Sequence, residues 1–216
     1  MKKLFMCFLV SIFILGIAAC DNAPTNTSTT NTNTTTNTDT NGDVAAQFKN
    51  SVFIGDSITE GFVVNEILPK ENVIAGAGTT AVFAYDDIKD LAQKNPDHVF
   101  IMLGSDDMLW PKGDPKALFE SSMTKLVQKV KEDAPNAKIY LESITPVTQD
   151  ALKAEPRYKN IDDYNMLLQQ LAEKLSVHYV DIGIVAKQHP DLYAEDGIHF
   201  KKEFYPLWLK ELAKSF

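Results

Sequence analysis

Short apolar runs alternate with amphipathic stretches along most of this chain, and the alternation restricts its fold more than any other feature. The runs cover residues 52–54, 72–75, 98–103, 138–141 and 178–182. Most lack the polar alternation of a half-exposed strand, as strands buried on both faces should. The stretches between them have helical spacing. One pattern covers 79–93. A stronger one opens at Asp114-Pro115, with an N-cap Asp and Pro at the first helical position. It carries Phe119, Met123, Leu126, Val127 and Val130 on one face. Ile161, Tyr164, Leu168, Leu171 and Leu175 repeat that signature, and a last helix is expected over 202–214. Strand–helix alternation of this kind predicts an α/β fold, with a parallel sheet covered by helices on both faces.

The apolar share is 44%, enough for one substantial core, and the formal charge is −8. Arg157 is the only arginine. Without a basic stripe to meet phosphates, the chain is not expected to bind nucleic acid.

The first 43 residues are expected to stand apart from the fold. Lys2 and Lys3 precede an apolar run too short and wrongly flanked for a membrane span, which reads as an export signal over 1–19. Ile17-Ala18-Ala19-Cys20 resembles a bacterial lipobox. That resemblance implies cleavage before Cys20, lipid on Cys20, and anchorage to the outer face of a bacterial membrane. Cys7 and Cys20 are the only cysteines, so the expected mature domain holds neither a thiol nor a disulfide. Residues 20–43 then form a tether rich in Thr and Asn, with too little apolar surface to offset the entropy of ordering. As a random coil of roughly 20 residues it would span about 25 Å. The remaining domain, 44–216, has a common size.

Within that domain the stretch Gly55-Asp56-Ser57 follows the first strand. Open α/β sheets place their ligand crevices at the carboxyl ends of strands. A helix N-terminus also favours a developing oxyanion. Asp56 or Ser57 alone could equally be a helix cap. Near the other end the chain reads Asp196-Gly197-Ile198-His199. A serine nucleophile needs a base for its hydroxyl proton and a carboxylate to orient that base. His199 and Asp196 have the chemistry for both roles. His98 and His178 begin strands and His189 precedes a proline, positions that suit packing or surface roles. Asp106, Asp107 and His199 share no recognised metal-ligand spacing.

Four blocks in order, Gly55-Asp56-Ser57, Ile74-Ala75-Gly76-Ala77-Gly78-Thr79-Thr80, Gly104-Ser105-Asp106-Asp107 and Asp196-Gly197-Ile198-His199, resemble those of the SGNH (GDSL-type) hydrolases. The resemblance runs from about Ser51 onward. It implies a flavodoxin-like three-layer α/β/α sandwich with a five-stranded parallel sheet. It also implies hydrolysis of carboxylic esters without metal or cofactor. By position it makes Ser57 the nucleophile, His199 the base and Asp196 the residue that orients it. The family's oxyanion hole would use the Ser57 N–H, an N–H of the second block, and an Asn side chain of the third. Gly78 is the first choice in the second block and Gly76 the second.

The third block departs from the pattern, because Asp106 stands where the family has Asn. Ionised Asp offers only acceptors and a repelling charge, whereas a protonated Asp106 could donate. The expectation is therefore a serine esterase, slow and pH-dependent. Substrates within reach are small esters, lysophospholipids and acetylated wall polysaccharides, with Trp110 either lining an acyl or sugar pocket or packing against the fold. The alternatives are a binding lipoprotein with an impaired site, or an O-acyltransferase acting on wall polymers.

Overall fold

The structure is a computed structural model describing residues 44–216. The expected leader, Cys20 and the tether lie outside the described residues. The five strands described are β1 (Ser51–Gly55), β2 (Val73–Ala75), β3 (His98–Met102), β4 (Lys138–Glu142) and β5 (His178–Val180). They form one sheet in the order β2-β1-β3-β4-β5, with every pair parallel.

Alternate residues on the strands feed opposite cores, because successive side chains point to opposite faces. On one face Val52, Ile54, Val99, Ile101, Ile139 and Leu141 are buried. They pack with α2 (Ala81–Asp87), α3 (Leu91–Lys94), α4 (Pro115–Asp133) and α6 (Ile161–Leu175). On the other face lie Phe53, Phe100 and Tyr140. They pack with α1 (Ser57–Val64), α7 (Gly183–Gln188) and α8 (Phe204–Leu212), through residues such as Phe62, Val185 and Trp208. This is the expected α/β sandwich. Register stacks the aromatic rings of the second face side by side. Phe53 lies on Phe100 at 4.9 Å, Phe100 on Tyr140 at 4.7 Å, and Tyr140 on His178 at 4.9 Å.

The start of α4 follows its sequence signal closely. Asp114 Oδ1 accepts the N–H groups of Lys116 and Ala117 at 3.1 Å, and Pro115 occupies the first turn. The pattern over 79–93 resolves differently, into α2 and α3 with a turn between them. That turn lets Ile88 and Leu91 both reach the core, where each is fully buried. β5 stops at Val180 rather than 182. Asp181 turns out of the strand, where its carboxylate accepts Ser143 Oγ at 2.8 Å and the Gly183 N–H at 3.0 Å.

Candidate active site

Because all the strands run the same way, their carboxyl ends share one edge of the sheet. From β1 the chain crosses to β2 on one side, while β3, β4 and β5 extend on the other. The end of β1 is therefore the topological switch point, where such sheets hold their ligands. Ser57 is the first residue of α1, directly beyond that strand end. Asp56 caps the helix, its Oδ1 accepting the Ile58 N–H at 2.9 Å. Gly55 has no room for a side chain, since a Cβ there would sit 2.0 Å from Thr59 Oγ1 and 2.7 Å from the Met102 carbonyl.

The structure brings Ser57, His199 and Asp196 together. Ser57 Oγ lies 2.8 Å from His199 Nε2, and His199 Nδ1 lies 2.6 Å from Asp196 Oδ2. A carboxylate on Nδ1 favours the tautomer that leaves Nε2 free to accept the serine proton. Asp196 Oδ1 is occupied separately, accepting the N–H groups of Ile198 and His199 at 2.9 Å each. Burial alone would raise the Asp196 pKa, but these two N–H groups and His199 outweigh it and hold the carboxyl below its usual value. The Asp196–His199 turn is braced from behind. Tyr193 and Phe200 form an antiparallel bridge, and the Ala194 N–H donates to the His199 carbonyl at 2.8 Å. The Thr148 N–H reaches the Gly197 carbonyl at 2.9 Å. The pair stays open to solvent, with the His199 and Asp196 side chains 40% and 46% exposed.

The remaining blocks gather at the same edge. After β2, the Thr79 N–H closes a turn onto the Gly76 carbonyl at 3.2 Å, and Gly78 within it has φ +74°. After β3, Asp106 leads into a 3₁₀ turn, Asp107–Leu109. Asp106 is half-buried, and burial raises its pKa against the opposing influence of His199. Arg157, paired with Glu155 at 2.6 Å, donates from Nη1 to the Leu109 carbonyl at 2.9 Å. This clamps the loop after β4 onto the loop after β3.

Some contacts here have no signal in the sequence. Ser105 donates its hydroxyl to Asp56 Oδ2, joining the third block to the first. Asp107 Oδ1 accepts the Ala81 N–H at 2.9 Å, joining the third block to the second. Burial pushes Asp56 up to about 6 and Asp107 up to about 7. Half-exposed Phe83 on α2 faces Trp110, with ring centroids 6.0 Å apart. Both residues stand on segments that directly follow the second and third blocks. The other histidines of the strands pack: His98 against Phe216 at 4.6 Å and His178 against Tyr140 at 4.9 Å.

Residues 53–207 match the GDSL-like lipase/acylhydrolase family. The chain belongs to that family. No curated protein matches it. Among solved structures it is similar to a GDSL-like lipase from Bacteroides thetaiotaomicron. The TM-score is 0.62 at 19% identity, covering 80% of this chain and 93% of that one. It is also similar to an acetylxylan esterase from Geobacillus stearothermophilus, with TM-score 0.54 and 19% identity over 76% of this chain and 91% of that one. A third, the acetyl xylan esterase AlAXEase, gives TM-score 0.56 and 17% identity over 76% and 98%. These likenesses show the GDSL hydrolase fold.

Proposed function

We propose that this GDSL-family hydrolase is a serine esterase that cleaves carboxylic esters through an acyl-enzyme. The supporting observation is the unbroken chain from Ser57 Oγ to His199 Nε2 and from His199 Nδ1 to Asp196, at 2.8 and 2.6 Å. Ser57 Oγ attacks the ester carbonyl as His199 Nε2 takes its proton. The tetrahedral intermediate collapses, and His199 returns the proton to the leaving alcohol. Water then attacks the acyl-Ser57 with His199 again as base. The carboxylic acid leaves, and Ser57 regains its proton. Asp196 holds the tautomer and stabilises the imidazolium.

Developing charge on the carbonyl oxygen is met by the N–H groups of Ser57 and Gly78. Asp106 adds a third donor in its protonated form. Its burial favours that form, against the opposing influence of His199.

O-acetylated polysaccharide is the substrate class this site suits best. The open His199–Asp196 pair admits a polymer from the side. The Phe83–Trp110 pair offers rings against which a sugar face packs. Lipid on Cys20 and a tether over 20–43 hold the domain at the outer face of a bacterial membrane, within reach of such polymers. One observation favours a second reading. Aspartate at position 106 weakens an oxyanion hole if it ionises, as in a binding lipoprotein that has lost turnover.

The deciding experiment compares the full chain with Ser57→Ala on p-nitrophenyl esters of increasing acyl length and on acetylated xylo-oligosaccharides. Turnover lost in Ser57→Ala supports the esterase. A folded wild type no faster than Ser57→Ala from pH 5 to 9 leaves the binding reading.

A further inference from the structure

Three segments supply the proposed oxyanion donors, and they come from well-separated parts of the chain. The first follows β1 and carries Ser57, the second follows β2 and carries Gly78, and the third follows β3 and carries Asp106. Each is a loop or a helix start beyond the last paired residues Gly55, Ala75 and Met102, so sheet pairing brings the segments together without setting the spacing of the donors. Acyl transfer is sensitive to that spacing, since a displacement of about 1 Å in a reacting group costs on the order of 10²-fold in rate.

Two buried carboxyls, neither with a part in the proton transfers, span these gaps. Asp107 is 4% exposed, and its Oδ1 accepts the N–H of Ala81, the first residue of α2 and the third after Gly78. Asp56 is 1% exposed and accepts the Ser105 hydroxyl, one residue before Asp106. Together they make a chain of contacts from the first block through the third to the second.

Building on the esterase reading, we infer that Asp107 is a positioning residue. It holds Ala81, and through it the Gly76–Thr79 turn that contains Gly78, at the distance from Ser57 that transition-state stabilisation requires. The Ser105–Asp56 bond does the same between the first and third segments.

The other oxygen of Asp107 supports this role. Oδ2 is buried and, among the described residues, has no hydrogen-bond partner. A bare carboxylate oxygen there would cost far more than a carboxylic acid. Burial accordingly pushes the group up to about 7. A neutral side chain with one acceptor is what the position needs. Asparagine has that shape and charge, whereas alanine lacks the acceptor.

The test measures kcat and KM for p-nitrophenyl acetate with the full chain, using Asp107→Ala, Asp107→Asn and Ser105→Ala beside Ser57→Ala. Asp107→Ala should lower kcat by about 10- to 100-fold with little change in KM. Asp107→Asn should restore kcat to within about threefold of wild type, and Ser105→Ala should lower it by about tenfold. Wild-type kcat in Asp107→Ala overturns the inference. So does an Asp107→Asn as slow as the alanine variant, or a loss that appears only in KM. If Asp107→Ala does not fold, Ser105→Ala decides beside Asp107→Asn: loss of kcat in the first with activity retained in the second supports the inference, and full activity in Ser105→Ala overturns it. A wild type no faster than Ser57→Ala overturns the esterase reading and this inference with it.

Discussion

The indole N–H of Trp208, on α8, donates to Glu142, a carboxyl 1% exposed at the carboxyl end of β4. Burial outweighs that bond and pushes Glu142 up to about 8. The folded chain therefore keeps a proton that the unfolded chain releases at ordinary carboxylate pH. The native state binds more protons between the two pKa values, so stability is greatest below the unfolded value and falls as pH rises through about 8. Each unit of such a shift corresponds to about 1.4 kcal/mol. Glu142→Gln keeps an acceptor for Trp208 without the titration. It should raise Tm at pH 8.5 by several degrees and leave Tm at pH 5 nearly unchanged. Equal effects at the two pH values would rule this account out. Asp56 and Asp107 carry shifts of the same sign, so a milder decline on the alkaline side should persist in the variant.

Among the described residues, Asp196 is the one carboxylate bonded to His199. Asp196→Asn replaces an acceptor by an amide that can donate to Nδ1 and favour the wrong tautomer. In serine hydrolases of this type the change costs about 10⁴ in kcat. The open setting of Asp196 allows water to substitute in part, so a loss of about 10²- to 10³-fold is expected here. Steady-state kinetics on p-nitrophenyl acetate measure it, and a loss below about fivefold would remove Asp196 from the mechanism.

Under the proposed mechanism Asp106 would give the site a pH signature. As an acid it would donate to the oxyanion, and once ionised it would be an acceptor with a repelling charge. The wild-type rate should thus fall as rising pH ionises Asp106. Asp106→Asn supplies an N–H donor at every pH. The variant-to-wild-type ratio of kcat should grow as Asp106 ionises with rising pH, toward about 10², the usual worth of one such donor. A ratio that stays flat with pH would show that Asp106 does not titrate in the catalytic range.

Much of this arrangement can be read along the chain, and the rest cannot, for physical reasons. The strands announce themselves as apolar runs because both faces of the sheet are covered. Ser57 and the Asp196–His199 pair stand out because each block is local: a strand end with Gly-Asp-Ser, and a carboxylate three residues from a histidine. The bonds from Asp107 to Ala81 and from Ser105 to Asp56 join segments 26 and 49 residues apart. No periodicity or spacing marks such contacts, and only the sheet order brings them together. Phe83 has no local signature either, since an exposed aromatic on an amphipathic helix reads as any surface residue until Trp110 is found opposite it. The break between α2 and α3 is hidden for a related reason, because Ile88 and Leu91 fit helical spacing whether or not the helix is continuous.

Trp110 offers a direct reading of substrate. The chain has two tryptophans, and Trp208 is fully buried, so any change in indole emission on adding a ligand reports Trp110. Titrating Ser57→Ala with acetylated xylo-oligosaccharide should change the emission saturably. Phe83→Ala should raise the KM for that substrate about five- to tenfold while leaving p-nitrophenyl acetate unaffected, the size expected for losing one aromatic contact. Unchanged emission, together with a Phe83→Ala defect confined to long acyl chains, would assign the pair to the acyl group instead.

Gly197 separates Asp196 from Ile198 and His199, and its φ of +70° lies in the left-handed region. A Cβ there would sit 2.0 Å from Thr148 Oγ1 and 3.0 Å from Thr148 Cβ. Thr148 has little freedom to yield, because its N–H donates to the Gly197 carbonyl at 2.9 Å and its hydroxyl caps α5 (Gln149–Ala154) through the Ala151 N–H at 3.3 Å. Gly197→Ala therefore combines backbone strain of about 1 kcal/mol with a collision that must move the turn. The turn carries His199, so the displacement falls on the 2.8 Å contact with Ser57 Oγ. Activity should drop by about 10²-fold, while global stability falls by about 1–2 kcal/mol. Gly197→Ala combined with Thr148→Ser removes the methyl but keeps the hydroxyl beside the new Cβ, so it should recover little. Combined with Thr148→Gly, which clears the space, it should recover a measurable part of kcat. Equal recovery by the two double variants would mean that the backbone angle, and not the contact with Thr148, sets the position of His199.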